Sequence, residues 1–310
     1  MGPFMIISIV RQQLVGMANL FLPFFILYYL VPQFALSIVG IVLYSLAVGI
    51  YVGYVTYVVT RNQSKGFLFV PTGVHSKQFA DEIVRCGLDP KNVQIRYAYV
   101  DDAIAMTFFN VIAVDPMVWG TVQEDPEALK ARDVVEKYII PAVPENKKEL
   151  HQVIRNNLSE NVQKFIFRHE LAHIFYNYSN KRVVIAGVMG AVATCSALAI
   201  AYSLMSLVGG FGALFVGVCA GALIDLLFAY ATNFFFKSYE EKRADIFATR
   251  FSSKEEIKAA ADFFEHYERA AQKYRETIDS ILFKLPTTIV SGYIDGINRA
   301  HYLREYAQSK

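Results

Sequence analysis

The sequence predicts an α-helical membrane protein in which four transmembrane helices, arranged as two hairpins, are joined to an α+β domain with a small β-sheet. Of its 310 residues, 54% are hydrophobic, and the mean hydropathy of +0.31 is high for a soluble domain. Charged residues are almost excluded from two long stretches. The polar segments that follow these stretches contain helical and strand periodicities typical of a folded domain.

The first apolar stretch contains no Asp, Glu, Lys or Arg between Arg11 and Arg61. Its about fifty residues are enough for two spans of roughly twenty residues each. Pro32 and Gln33 mark the turn, because proline disrupts a continuing helix. The stretch is too long for a signal peptide and leads directly into a second span, so residues 1–60 are predicted to be a retained hairpin.

The second apolar stretch, residues 183–236, carries one charge, Asp225, and turns at Gly209-Gly210. Basic residues flank the two stretches on the polar side, and they are Arg61, Lys65, Lys181, Arg182 and Lys237. The positive-inside rule therefore places the polar segments 61–182 and 237–310 in the cytoplasm or the equivalent compartment of an organelle. A bacterial inner membrane is the expected bilayer. Three cysteines without paired spacing suit that reducing side.

The first polar segment is predicted to contain a small sheet. An amphipathic helix runs from Ser76 to Gly87, and residues 93–100 alternate as a strand. The apolar run 104–114 is predicted to be a second strand. Residues 115–160, with one helical piece at 127–138, are equally well explained as a lid over a site or as a surface insertion.

One His-Glu-Leu-Ala-His run, from His169 to His173, lies on a predicted helix that begins near Ser159. Histidines at i and i+4 project from one helical face, which is the spacing that two ligands of one zinc ion need. Glu170 is then placed to take a proton from a zinc-bound water. Lys164 and Arg168 fall on the opposite, polar face.

The second polar segment contains a third candidate ligand. Glu241 lies four residues before Asp245, just after the second apolar stretch, and a closed hairpin would bring both to the histidines. Glu241 is predicted to complete the zinc site, and Asp245 to accept the second ring N–H of a histidine. A solvated charge at Glu241 is the alternative.

Ser253 and Glu256 form a capping box before an apolar stripe over 257–282, which is predicted to be core or a surface for homo-oligomer formation.

His-Glu-x-x-His, two membrane helices and then Glu-x-x-Ala-Asp together resemble the HtpX-like membrane zinc endopeptidases, gluzincin-type relatives of the CaaX prenyl proteases. The resemblance implies a zincin-like catalytic domain in which Zn²⁺ is bound by His169, His173 and Glu241. Glu170 would be the catalytic base. Proteins or peptides, including membrane and misfolded proteins, would be the substrates.

Two further family motifs are altered in this chain. Asp102-Ala103-Ile104-Ala105 stands where the family opens its substrate-binding strand with Asn-Ala-Phe-Ala. Tyr293 stands where a histidine precedes the arginine that corresponds to Arg299, and a tyrosine hydroxyl can also donate to an oxyanion. Both Tyr293 and Arg299 are therefore candidate catalytic residues, with ordinary packing and surface roles as the alternative.

Two other functions remain open on the sequence. A site-two-type intramembrane metalloprotease would use Asp225 as its third ligand, because ionisable residues within a span are often functional. A catalytically inactive membrane scaffold would explain the altered motifs. No basic patch interleaved with aromatic residues suggests a nucleic-acid partner.

Overall fold

The computed structural model of the chain describes residues 23–24, 26–31, 35, 37–66, 70–71, 77–97, 104–117, 126–138, 152, 154, 156–276 and 296–310. The chain divides into two compact units. One comprises residues from 1–59 and 180–233, and the other comprises residues from 60–179 and 234–310.

The first unit is built from apolar helices, principally α1 (Ile38–Gly66) and α5 (Tyr178–Thr232). Helix α5 is bent back at Gly209, whose φ of 74° and ψ of 163° suit glycine and few other residues. The predicted turn at this position is confirmed. A Cβ at Gly217 would lie 2.7 Å from the carbonyl oxygen of Ala197, so the two arms of α5 approach closely through small residues.

Two helices, Ile38–Arg61 and Tyr178–Met205, are long and apolar enough to cross a membrane by length and composition. In the second arm of α5, the apolar stretch found among the described residues, Phe215–Asp225, is shorter than a full span. The first predicted span and its turn at Pro32-Gln33 lie largely outside the described residues. The count of four spans therefore stays a prediction.

The second unit contains a mixed sheet with the strand order β1 (Val70–Pro71), β2 (Gln94–Tyr97), β4 (Val111–Val114), β3 (Ala105–Phe108). Strands β2 and β4 are parallel, and the other pairs are antiparallel. The prediction of a single strand over 104–114 is wrong. The run folds into a hairpin because Phe109 takes a left-handed φ of 53° and, with Asn110, reverses the chain.

The remaining described helices of the second unit are α2 (Lys77–Arg85), α3 (Pro126–Tyr138), α4 (Glu160–Phe175), α6 (Ser238–Phe251), α7 (Lys254–Glu276) and α8 (Gly296–Ser309). The predicted caps are present. Ser159 Oγ accepts a hydrogen bond from the Val162 N–H at the start of α4. Ser253 and Glu256 hydrogen-bond reciprocally at the start of α7. Asn177, at a φ of 55°, ends the α4 turn in a conformation that asparagine tolerates.

Helix α4 is central to the second unit. It contacts β3 together with α6 and α7, and its apolar residues Phe165 and Leu171 are fully buried in the main core. The helix is more deeply buried than its amphipathic pattern indicates, because Arg168 of the predicted polar face is inside, as is the polar side chain of Gln163. Such a position allows every side of α4 to meet another element.

Candidate metal centre

Helix α4 presents the two histidines of the motif side by side. His169 and His173 are one turn apart, and their Nε2 atoms lie 3.2 Å from each other. Both side chains are buried in the second unit. The α-helical spacing that the sequence predicted is therefore realised in the fold.

Helix α6 brings Glu241 to the same point. Its Oε2 lies 3.1 Å from Nε2 of His169, and its Oε1 lies 3.8 Å from Nε2 of His173. Glu241 is itself buried, which rules out the alternative of a solvated surface charge. Residues more than sixty positions apart thus point three potential ligand atoms at one another.

Asp245, one turn beyond Glu241 on α6, lies behind His169. Its Oδ1 is 2.8 Å from Nδ1 of His169, as the sequence predicted for an orienting carboxylate. Arg299 on α8 donates to both carboxylate oxygens of Asp245, at 2.8 Å from Nε and 2.6 Å from Nη2. The hydroxyl of Tyr302, on the same helix, donates to Oδ2. Asp245 is therefore fixed by three side chains and completely buried.

The position of Asp245 selects the tautomer of His169. A carboxylate can only accept, so Nδ1 of His169 donates to it, and the lone pair of Nε2 in the neutral ring is directed toward His173 and Glu241. Arg299 Nη2 is also near, at 3.3 Å from Nδ1, but a guanidinium offers no acceptor. The arrangement presents Nε2 as a ligand atom.

The electrostatics of the cluster favour a positive charge at its centre. Burial lowers the pKa of His169, but Asp245 and Glu241 outweigh burial and raise that pKa to about 10. Burial raises the pKa of Glu241, but its hydrogen bond and attraction to His169 lower that pKa to about 2. A positive charge between these groups is thus favoured, and a cation bound by the imidazoles and the carboxylate would supply it.

The donor set fits a zinc ion. Tetrahedral zinc with bonds of about 2.0–2.1 Å requires ligand atoms about 3.3 Å apart. The three separations of 3.2, 3.1 and 3.8 Å lie close to that value. Two imidazoles and one carboxylate are also a ligand set used by catalytic zinc sites.

Glu170 lies beside the three ligand candidates and is held by the sheet. A ligand-type atom of Glu170 lies within 4.8 Å of those of His169 and His173. Thr107 Oγ1, on β3, donates to Oε2 of Glu170 at 2.7 Å. Burial raises the pKa of Glu170 above its ordinary value, in spite of the opposing effects of His169 and Thr107. A raised pKa suits a carboxylate that exchanges protons near neutral pH.

Of the other predicted site residues, some are described by the structure and some are not. Ile104 and Ala105 lie at the start of the hairpin, and Ala105 opens β3. Asp102, Ala103 and Tyr293 lie outside the described residues. Arg299 contacts Asp245, and its guanidinium stacks 3.8 Å from the ring centre of Phe264.

Sequence reasoning missed two residues of the site. Tyr302 is three positions after Arg299, so helical spacing alone would have placed both on one face once Arg299 had been chosen. Thr107 lies two positions after Ala105 and therefore on the same face of β3, but its contact with Glu170 depends on how the hairpin packs on α4. No local pattern indicates that packing.

Comparison with known proteins gives one match. The model of peptidase family M48 matches residues 132–303, more than half of the chain, and this range includes His169, His173 and Glu241. No curated protein and no solved structure matches the chain significantly.

Proposed function

We propose that this chain, which belongs to peptidase family M48 and has a metallopeptidase function, is a membrane-embedded zinc endopeptidase of the HtpX-like type. Its substrates would be membrane or misfolded proteins, cleaved at the cytoplasmic face. The observation that carries the proposal is the convergence of His169, His173 and Glu241 beside Glu170. That set contains three ligands and a base, as a catalytic zinc site requires.

The proposed mechanism assigns each side chain one task. His169, His173 and Glu241 would hold Zn²⁺, which supplies a Lewis acid that lowers the pKa of water and polarises the scissile carbonyl. Glu170 accepts a proton from the attacking water and returns it to the leaving amine. Asp245, fixed by Arg299 and Tyr302, keeps Nε2 of His169 directed at the site.

The sheet offers a place for the peptide. Strand β3 is at the edge of the sheet, and within the described residues no strand pairs with its outer side. An extended peptide can add to such an edge by main-chain hydrogen bonds. Since Thr107 of β3 contacts Glu170, a peptide on this edge would lie near the proposed base.

The two long apolar helices support a membrane location. We propose four spans in two hairpins, with the polar segments 61–182 and 237–310 in the cytoplasm, because the flanking basic residues lie on that side. A reporter enzyme that folds only outside the cytoplasm should stay inactive when fused after Lys310. An active reporter would reverse the proposed orientation.

Replacing Glu170 by glutamine tests the proposed chemistry. The detergent-purified Glu170→Gln protein should keep its zinc but cleave casein roughly 100- to 10,000-fold more slowly than wild type, which is the usual contribution of a general base. Glu160→Gln is the matched control, because Glu160 lies on the same helix and pairs with Lys164 at the surface. Equal cleavage by wild type and Glu170→Gln would refute the assignment.

Zinc content separates this proposal from its rivals. Glu241→Ala should lose zinc and Asp225→Ala should retain it, because Asp225 belongs to the apolar unit and Glu241 lies within reach of both histidines. The opposite result would favour a site-two-type enzyme. Full zinc occupancy without cleavage of any unfolded protein would favour an inactive scaffold.

A further inference from the structure

We propose that Thr107 is a positioning residue that holds the carboxylate of Glu170 in the orientation needed for proton transfer and couples it to the substrate-binding strand β3. The inference rests on the proposed function, in which Glu170 is the general base. Thr107 lies outside the His-Glu-x-x-His and Glu-x-x-Ala-Asp motifs and contacts the base from a different element.

Thr107 hydrogen-bonds to Glu170 in two ways. Its hydroxyl lies 2.7 Å from the side-chain Oε2 and 3.1 Å from the backbone carbonyl oxygen of the same residue. A hydroxyl carries one proton, and the shorter distance assigns it chiefly to Oε2, with the backbone carbonyl oxygen as the weaker acceptor. With Oε2 engaged in this way, the carboxylate is oriented and Oε1 is left to accept a proton from water.

Thr107 is itself held rigidly. Its backbone pairs with Ile112 of β4 in the antiparallel ladder, and threonine has a restricted χ1 because it is branched at Cβ. Two residues further on, the Phe109 N–H donates to Ser179 Oγ at 2.9 Å, which fixes the hairpin tip. The hydroxyl therefore presents a fixed donor to Glu170.

The side chains of β3 point alternately to the two faces of the sheet. Ala105 and Thr107 share one face by strand alternation, and Thr107 meets α4 there, whereas Met106 on the other face is partly exposed. A peptide that adds to the β3 edge would use main-chain groups and leave this contact in place. A shift of β3 on substrate binding would therefore reach Glu170 through the contacts of the Thr107 hydroxyl.

The test compares Thr107→Val with Thr107→Ser. Valine keeps the shape and the branched Cβ but removes the donor, whereas serine keeps the donor. We expect kcat for casein peptides to fall roughly ten- to a hundredfold in Thr107→Val, as for other small displacements of catalytic groups. KM and zinc content should stay within about twofold of wild type, because valine leaves the ligands and the ladder intact. Thr107→Ser should recover most of kcat.

A matched control is Thr249→Val, because Thr249 is a buried threonine whose hydroxyl donates to the carbonyl of Ile246 in its own helix. Wild-type kcat in Thr107→Val, or an equal loss in Thr107→Ser, would overturn the inference. If Thr107→Val melts at a lower temperature than wild type, Thr107→Ala is measured as a second variant. A loss of kcat that is proportional to the loss of melting temperature in both variants would also overturn the inference. Failure of the proposed function looks different, because Glu170→Gln would then match wild type.

Discussion

Arg168 and His169 are neighbours on helix α4, and each is the central residue of a buried ionic cluster. Adjacent helical residues point about 100° apart, so the two side chains enter different parts of the core. Arg168 has no exposed surface, and His169 is 5% exposed. Burial and charge are therefore shared by both clusters and do not distinguish a structural site from a functional one.

The Arg168 cluster satisfies itself. The guanidinium forms a two-pronged contact with Glu82 on α2 and further hydrogen bonds to Glu256 on α7 and to Ser252. All five guanidinium N–H groups have an acceptor by these contacts. Since each donor meets an acceptor, the guanidinium is fully hydrogen-bonded, and it links α4 to α2, to α7 and to Ser252 between α6 and α7.

The His169 cluster has an outer side of hydrogen bonds and a centre where potential metal-ligand atoms meet. Asp245 is saturated by His169, Arg299 and Tyr302. At the centre, Nε2 of His169 lies 3.2 Å from Nε2 of His173 and 3.1 Å from Oε2 of Glu241. Imidazole and carboxylate groups that are buried and converge in this way favour a bound cation. The two clusters thus differ in what meets at their centres: donors meet acceptors around Arg168, whereas potential ligand atoms meet one another around His169.

The largest expected effect comes from exchanging one buried glutamate in each cluster. Glu241→Gln removes a proposed ligand, so zinc content should fall from about one per chain to near zero and casein cleavage should cease. Glu256→Gln should retain zinc and activity but lower the melting temperature, because its partner Arg168 loses a counter-charge. Zinc analysis, activity and thermal melts on both variants make the comparison. Loss of zinc in both variants, or in neither, would show that the two clusters do not differ in metal binding.

Removing the arginine should cause the next largest effect. Arg168→Met leaves Glu82 and Glu256 buried without a counter-charge, which typically destabilises by about 3–5 kcal/mol. The melting temperature should then fall by roughly 10 °C. The triple change Arg168→Met, Glu82→Gln, Glu256→Gln should recover much of that loss, since no buried charge remains. Equal melting temperatures of Arg168→Met and wild type would show that the cluster contributes little to stability.

The pH dependence of stability gives a smaller, graded effect. Burial raises the pKa of Glu256, but hydrogen bonds from Arg168 and from the Ser253 N–H outweigh burial and lower that pKa below its ordinary value of 4.5. A carboxylate with a lowered folded-state pKa stabilises the fold above its unfolded pKa and loses that contribution as pH falls through the folded pKa. The melting-temperature difference between wild type and Glu256→Gln should therefore be largest near pH 7 and shrink below about pH 4.5. A difference that does not change with pH would contradict this linkage.

The contrast between the clusters also explains what the sequence could predict. His169, His173 and Glu170 follow from helical spacing, and the pair Glu241 and Asp245 follows from spacing together with a family resemblance. The caps at Ser159 and Ser253 are local and were found. Each of these features depends on residues within one turn of each other or on a known motif.

Features that depend on packing between distant segments were not found. Arg168 was assigned to a polar face because its burial depends on Glu82 and Glu256, each more than eighty positions away. The hairpin at Phe109 was predicted as one strand because a bulky residue at positive φ is uncommon and no glycine marks the turn. The contact of Thr107 with Glu170 likewise spans sixty-three positions.

Tyr302 offers the finest test of the comparison, because it lies on the saturated side of the His169 cluster. Tyr302→Phe removes one of the three donors to Asp245 and leaves Arg299 and His169 in place. We expect zinc affinity, measured by competition with a chelator, to fall about three- to tenfold, at or below the low end of the 10- to 100-fold usual for loss of an outer hydrogen-bond partner. Asp245→Asn, which removes the acceptor itself, should fall within that larger range. If Tyr302→Phe lowered the melting temperature and left zinc affinity unchanged, Tyr302 would act in the manner of Glu256, and the metal-orienting part of the cluster would end at Arg299.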